Sequence, residues 1–147
     1  MSRRIEDLTP SLQIKARQLT NLLYVNGIKY AIIETRRSMA TQRAYYAQGR
    51  EPFEEVNAKR RAAGLFEIGE AEARRIVTRT LDSRHLYGEA FDLVPLDEVG
   101  RAWWNAPAAL WTKIGELGES VGLEWGGRWG EREGRLGWDC PHFQERA

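Results

Sequence analysis

The sequence predicts an α+β fold. Its helical and strand-like segments do not alternate in the regular order that a doubly wound parallel sheet requires. The strand-like runs are short and set apart by glycine-bearing turns. A chain of 147 residues is enough for one domain with one core, and no internal repeat or low-complexity linker divides it.

The first helix lies in TPSLQIKARQLTNLLYVNG, Thr9 to Gly27. Thr9 can cap it, Pro10 suits the first helical position, and Gly27 stops it. Leu12, Ala16, Leu19 and Leu23 recur at three- and four-residue spacing and mark its buried face. IKYAIIET, Ile28 to Thr35, is expected to be a buried strand. SMATQRAYYAQG follows as a short helix capped by Ser38 and stopped by Gly49. Residues of about 51–75 are highly charged and read as an excursion between core elements, part of a lid. EAFDLVPL, Glu89 to Leu96, is the next strand. NAPAALWTKIGELGESVG is a second clear helix, with Asn105 able to cap it and Leu110, Ile114, Leu117 and Val121 forming one stripe. LEWGGRW begins as a strand and breaks at the double glycine, GEREGRLG is a polar loop, and WDCPHFQ closes the chain.

Composition narrows the function classes. The net charge of +1 gives no electrostatic reason to expect nucleic acid or an anionic membrane as partner. No apolar run approaches the ~18 residues of a membrane span, so no stable membrane association is expected. The N-terminal MSRRIEDLTP is basic but has no apolar signal core, and synthesis in the cytoplasm without an export signal is expected. A single cysteine, Cys140, rules out an internal disulfide framework and a multi-cysteine zinc cluster.

The chemistry concentrates in two places. In SRHLYGEAFDL, Asp92 sits in an otherwise apolar run, seven residues after His85. On one straight strand an odd offset would put the two side chains on opposite faces. Gly88 can bend the chain between them, and Ala90, Asp92 and Val94 then share a strand face. The other histidine, His142, follows Asp139 by three residues, with Pro141 stiffening the link. Two histidines and a carboxylate make a three-ligand zinc site that leaves a fourth position for water, the catalytic arrangement. A further carboxylate nearby can serve as general base, and Asp139 is the natural candidate. The plain alternative is a hydrogen-bonded structural His–Asp pair.

Family resemblance separates the two. SRHLYGEAFD fits the pattern S-x-H-x-x-G-x-A-x-D at all five fixed positions; at about 1 in 20 per position, a chance match anywhere in a chain this long is on the order of 10⁻⁴. The pattern resembles the zinc peptidases of bacterial cell-wall metabolism: D-alanyl-D-alanine carboxypeptidases, vancomycin-resistance D,D-dipeptidases and phage endolysins that act as L-alanyl-D-glutamate endopeptidases. ETRRSMATQRAYYAQGR, GLEWGGRW and DCPHF look like further landmarks of that family, in order, from about Ile28 to Phe143. The closing segment is most similar to the endolysin branch.

The resemblance implies a single catalytic domain over residues 1–147, with a small antiparallel sheet flanked by helices of the hedgehog/DD-peptidase kind and a charged insertion at about 51–75. It implies Zn²⁺ as cofactor with His85, Asp92 and His142 as ligands, Asp139 as catalytic carboxylate, and Arg37 as the active-site arginine, with Arg36 as the alternative. Ser83 matches the motif serine that contacts the ligand shell or the substrate. The implied substrate is the peptidoglycan stem peptide, cut between L-alanine and D-glutamate by a monomeric phage or prophage endolysin that crosses to the wall once the membrane is permeabilised. D-alanyl-D-alanine carboxypeptidase activity is the alternative. Two departures from the family pattern stand out: the long charged segment, and VTRT where relatives carry a threonine-asparagine-alanine turn.

Two rivals remain. Cys140 beside His142 allows a cysteine peptidase, although a small buried cysteine is the commoner case. All six tryptophans follow residue 100, which allows a non-catalytic wall-binding module with exposed aromatics.

Overall fold

The computed structural model describes residues 2–146. Among them, four strands form one antiparallel sheet, β1 (Tyr30–Glu34), β2 (Ala90–Pro95), β3 (Leu123–Trp125) and β4 (His142–Glu145), in the order β1-β2-β4-β3. The α+β prediction holds, with helices grouped on a small open sheet.

Helix α1 (Pro10–Val25) begins and ends where the sequence places it. The Thr9 side chain accepts a hydrogen bond from the Leu12 N–H, and Gly27 turns the chain away at φ +69°. Leu12, Ala16, Leu19 and Leu23 are all fully buried. They join one core with Phe91 and Leu93 of β2, Leu123 and Trp125 of β3, and Phe143 of β4. Strand β1 departs from expectation, because its first four residues are only half-buried. It is an edge strand, so one side has no neighbour to cover it.

Helix α5 (Ala108–Ser120) starts later than Asn105 would allow. Pro107 occupies the cap position, and the residue before a proline is disfavoured in helical conformation, so the helix cannot extend back through Ala106. Its buried face is also rotated from the Leu110 stripe. Trp111, Ile114, Gly115 and Gly118 are buried, while Leu110, Leu117 and Val121 pack at the margin. The two glycines are the reason. A Cβ on Gly115 would overlap the Trp125 ring, and one on Gly118 would overlap the Phe143 ring. The helix therefore lies directly on the aromatic side chains of β3 and β4.

Helix α2 (Met39–Ala47) is capped by Ser38, whose side chain accepts from the Thr41 N–H. The charged segment after it folds as α3 (Phe53–Ala62) and the one-turn α4 (Glu70–Ala73). A small separate core of Ala47, Val56 and Ala73, with Ile68 packed against it, ties this segment to α2. The Asn57 side chain holds the Ile68 backbone through both its carbonyl and its amide. Gln48 donates to Glu72 O, and the Gly49 N–H donates to Ala73 O. Among the described residues, no helix is long and apolar enough to cross a membrane.

Gly115→Ala tests the close packing of α5. Alanine favours a helix over glycine by about 1 kcal/mol, but overpacking a closed core costs about 1–3 kcal/mol. The variant should have a lower urea midpoint with an unchanged m-value; a stabilised protein would show that Trp125 moves aside freely.

Candidate metal centre and active site

Strand register assembles the site. Asp92 on β2 pairs with Glu34 on β1 on one side and with His142 on β4 on the other. His85 arrives from a one-turn 3-10 helix, Arg84–Tyr87, capped by Ser83, whose Oγ accepts from the His85 N–H. Gly88 then reverses the chain at φ +69°, the left-handed region that favours glycine, and its Cα lies so close to the Asp7 carbonyl that a side chain would meet it at 2.9 Å. The bend brings His85 Nε2 to 3.2 Å from Asp92 Oδ1. His142 Nδ1 lies 3.4 Å from the same oxygen.

Both imidazoles are held from behind. His85 Nδ1 lies 2.7 Å from the Thr35 carbonyl, which can only accept, so Nδ1 carries the proton. His142 Nε2 lies 2.9 Å from Gln144 Oε1. The Gln144 amide orientation is fixed in turn, because its Nε2 donates to Glu124 Oε2, which also accepts from Trp129 Nε1. His142 Nε2 is therefore the donor. Neutral histidines oriented this way turn their lone pairs, His85 Nε2 and His142 Nδ1, toward Asp92.

Three acceptors thus converge within 4.8 Å of one another, with no proton between them unless a histidine is charged. Such an arrangement demands a cation. Two imidazole nitrogens and one carboxylate oxygen are a donor set suited to a divalent transition metal, and their buried orienting partners are of the kind that metal-binding histidines require. The residues fit the ion that the sequence pattern implies. Asp92 shows the same pull electrostatically. Burial raises its pKa, but where the imidazoles are charged, hydrogen bonds and charge from His142 and His85 outweigh that and hold it well below the usual carboxylate range. His142 is pushed up: burial opposes its charged form, but the bond to Asp92 and the charges of Asp92 and Asp139 prevail.

Asp139 sits beside this cluster, its Oδ2 3.8 Å from His142 Nδ1. A turn closed by the His142 N–H and the Asp139 carbonyl at 3.1 Å fixes the two relative to each other. The turn packs on Gly126, where a Cβ would run into Asp139 and His142. The double glycine that ends β3 is thus part of the construction of the site. Burial pushes the Asp139 carboxyl up to about 6.

His85, Asp92, Asp139, His142, Gln144 and Trp129 line one cavity of about 890 Å³. Arg37 lines it as well, buried, with its guanidinium bonded to Glu34 and donating to Gln42 Oε1 at 2.7 Å. Arg36 is exposed and does not line it. Ser83 lines it but spends its hydroxyl oxygen on the turn that carries His85. The structure therefore gathers His85, Asp92, His142, Asp139, Arg37 and Ser83 in one place. Sequence reasoning missed Thr35, Gln144, Glu124 and Trp129. Gln144 was within reach, since it lies two residues beyond His142 and so on the same strand face.

The rivals fare unequally. Cys140 is half-buried, its Sγ lies 3.6 Å from the Gly137 carbonyl, and burial pushes its thiol up, away from the thiolate a nucleophile needs. The tryptophans divide: Trp111 and Trp125 are core, whereas Trp104, Trp129 and Trp138 line the cavity.

The α+β domain thus holds a His–Asp–His cluster and an adjacent carboxylate in one cleft, a donor set able to hold a divalent metal ion. Residues 77–145 match the sequence model of the D-alanyl-D-alanine carboxypeptidase family. The matched segment carries His85, Asp92, Asp139 and His142. Among solved structures, the chain is similar to the L-Ala D-Glu endopeptidase ChiX of Serratia marcescens, with 24% identity over 97% of this chain and 83% of that one, at TM-score 0.59. It is similar to VanYB in complex with D-alanine-D-alanine, at 15% identity over 95% of this chain and 72% of that one, TM-score 0.56. A vancomycin-resistance D,D-pentapeptidase VanY variant in complex with Zn(II) matches at 15% identity over 94% and 72%, TM-score 0.54.

Removing the support behind His142 tests the orienting network. Gln144→Leu should weaken metal binding by about 10–100-fold, read by competition with a chromophoric chelator using zinc as probe ion. Unchanged affinity would show that His142 needs no such support.

Proposed function

We propose that the protein is a zinc-dependent endopeptidase that cuts the stem peptide of peptidoglycan between L-alanine and D-glutamate, acting as a phage or prophage endolysin. The observation that carries the chemistry is the convergence of three acceptors, from His85, Asp92 and His142, beside the buried Asp139 carboxylate in one cavity. The bond assignment is supported by the endolysin-like closing segment and by the fold likeness to an L-Ala D-Glu endopeptidase. D,D-carboxypeptidase action is the second reading, favoured by the family description and the likeness to VanYB.

Zinc held by His85, Asp92 and His142 would act as a Lewis acid on the scissile carbonyl and lower the pKa of water toward about 7. Asp139 is placed to take a proton from the attacking water at its carboxylate and to return it to the leaving amine. A carboxyl raised toward neutrality can hold a proton between those two events better than an ordinary one. Arg37, in the same cavity, would orient the substrate carbonyl. Its bonds to Glu34 and Gln42 lock the guanidinium in place, and Glu34 balances its charge, so burying it is tolerable. Ser83 keeps His85 in position by capping its turn.

Digestion of purified peptidoglycan followed by mass spectrometry decides the bond. Free amino termini on D-glutamate-containing fragments support the endopeptidase, whereas release of terminal D-alanine supports the carboxypeptidase. His85→Ala should lose both metal and turnover. Asp139→Asn should keep the metal and lose turnover by about 10²–10⁴-fold; full activity in that variant would sink the base assignment. Cys140→Ser should retain activity, and its inactivation with zinc bound would revive the cysteine-peptidase reading.

A further inference from the structure

The cavity walls carry several arginines, and most are already engaged. Arg37 is bonded to Glu34 and Gln42. Arg84 faces Glu89 and donates to the Glu145 carbonyl. Arg60 donates to the Phe66 carbonyl. Arg79 differs. Its guanidinium carbon lies 5.3 Å from the centroid of the Trp138 ring, and among the described residues it makes no hydrogen bond or ion pair.

This contact has a specific consequence. A guanidinium lying over an indole is restrained through its face, which leaves the N–H edge unused. Five donors remain available in a fixed fork that matches a carboxylate. Trp138 in turn packs against Trp129, with ring centroids 5.3 Å apart, and Trp129 is anchored by its N–H to Glu124. The platform under Arg79 is therefore tied to the same Glu124 that orients Gln144 behind His142. Trp138 is also the immediate neighbour of Asp139. Arg79 belongs to a different stretch of the cavity lining, residues 77–82 leading to the His85 turn. Its contact with Trp138 joins two segments of the cavity lining next to Asp139.

We propose that Arg79, held over Trp138, is a specificity-determining residue that binds a free carboxylate of the peptide substrate. This rests on the reading of the site as a stem-peptide peptidase. The carboxylate can belong to the glutamate residue next to the cut or to the C-terminus of the peptide. Both have the same chemistry at Arg79, and they are separable with synthetic substrates.

The experiment uses the zinc-loaded full chain with three stem peptides: the free acid, one amidated at the glutamate α-carboxyl only, and one amidated at the C-terminus only. Binding is read by quenching of tryptophan fluorescence with Asp139→Asn protein, and turnover with the wild type. The wild type should lose about tenfold in binding and kcat/KM on one of the two amidated peptides, the order expected for one charge-assisted hydrogen bond at a partly open site. Arg79→Gln should bind all three peptides alike, with the change in KM rather than kcat, and Arg79→Lys should restore part of the preference. Arg79 is exposed, so the variants should fold normally. If Arg79→Gln keeps the wild-type acid-to-amide ratio, or if the wild type shows no such ratio, the proposal is overturned. A protein that binds the acid peptide through Arg79 but cuts no stem peptide would overturn the proposed function and leave this inference standing.

Discussion

The site depends on one constraint, the placement of a carboxylate between two imidazole lone pairs. Asp92 is surrounded by apolar neighbours on β2, and only about a fifth of its side chain is exposed. An ionised carboxylate in such a place is unfavourable unless positive charge meets it. Here the backbone itself arranges the meeting. Antiparallel register fixes His142 opposite Asp92, and the left-handed bend at Gly88 returns His85 to the same oxygen. The Thr35 carbonyl and Gln144 then decide which nitrogen of each ring faces inward. A fold held in this register has a cation-seeking centre whether or not an ion has arrived.

Glycine packing keeps the register in place. Gly115 and Gly118 let α5 lie flat on Trp125 and Phe143, which pins β3 and β4 to the core from one side. Gly126 lets the Asp139–His142 turn settle against the end of β3. A slip of one residue in β4 would turn His142 away from Asp92 and expose Phe143. The apolar core and the polar site thus specify the same alignment, and neither can shift without disturbing the other.

Much of this was legible in the sequence, and the misses have physical causes. His85, Asp92, Asp139 and His142 are rare or misplaced residue types for their surroundings, so the pattern points at them directly. Helix α1 is legible because its leucines carry both the period and the burial. The α5 stripe misleads because glycine carries no hydrophobic signal, although two glycines sit at the centre of the buried face. Asn105 is a good capping residue by type, but the restriction that Pro107 places on Ala106 overrides it. The Thr35 carbonyl could not be found by residue type at all, since any residue supplies a backbone oxygen. Residues 51–75 read as a lid on charge alone. The small apolar cluster around Val56 instead fastens them to α2, and Arg60, Ile68 and Glu72 contribute to the cavity wall.

Two carboxylates lie near His142, and their surroundings separate their proposed roles. Asp92 approaches both histidines through one oxygen, at 3.2 and 3.4 Å, and is held ionised. Asp139 approaches only His142, at 3.8 Å, and burial outweighs the charges of His142, His85 and Arg37 to push it up to about 6. An acid that stays ionised is suited to holding a cation and poorly suited to carrying a proton. An acid poised nearer neutrality is suited to the reverse. Both side chains are aspartates, so the difference between them lies in what each position faces rather than in the carboxyl group itself.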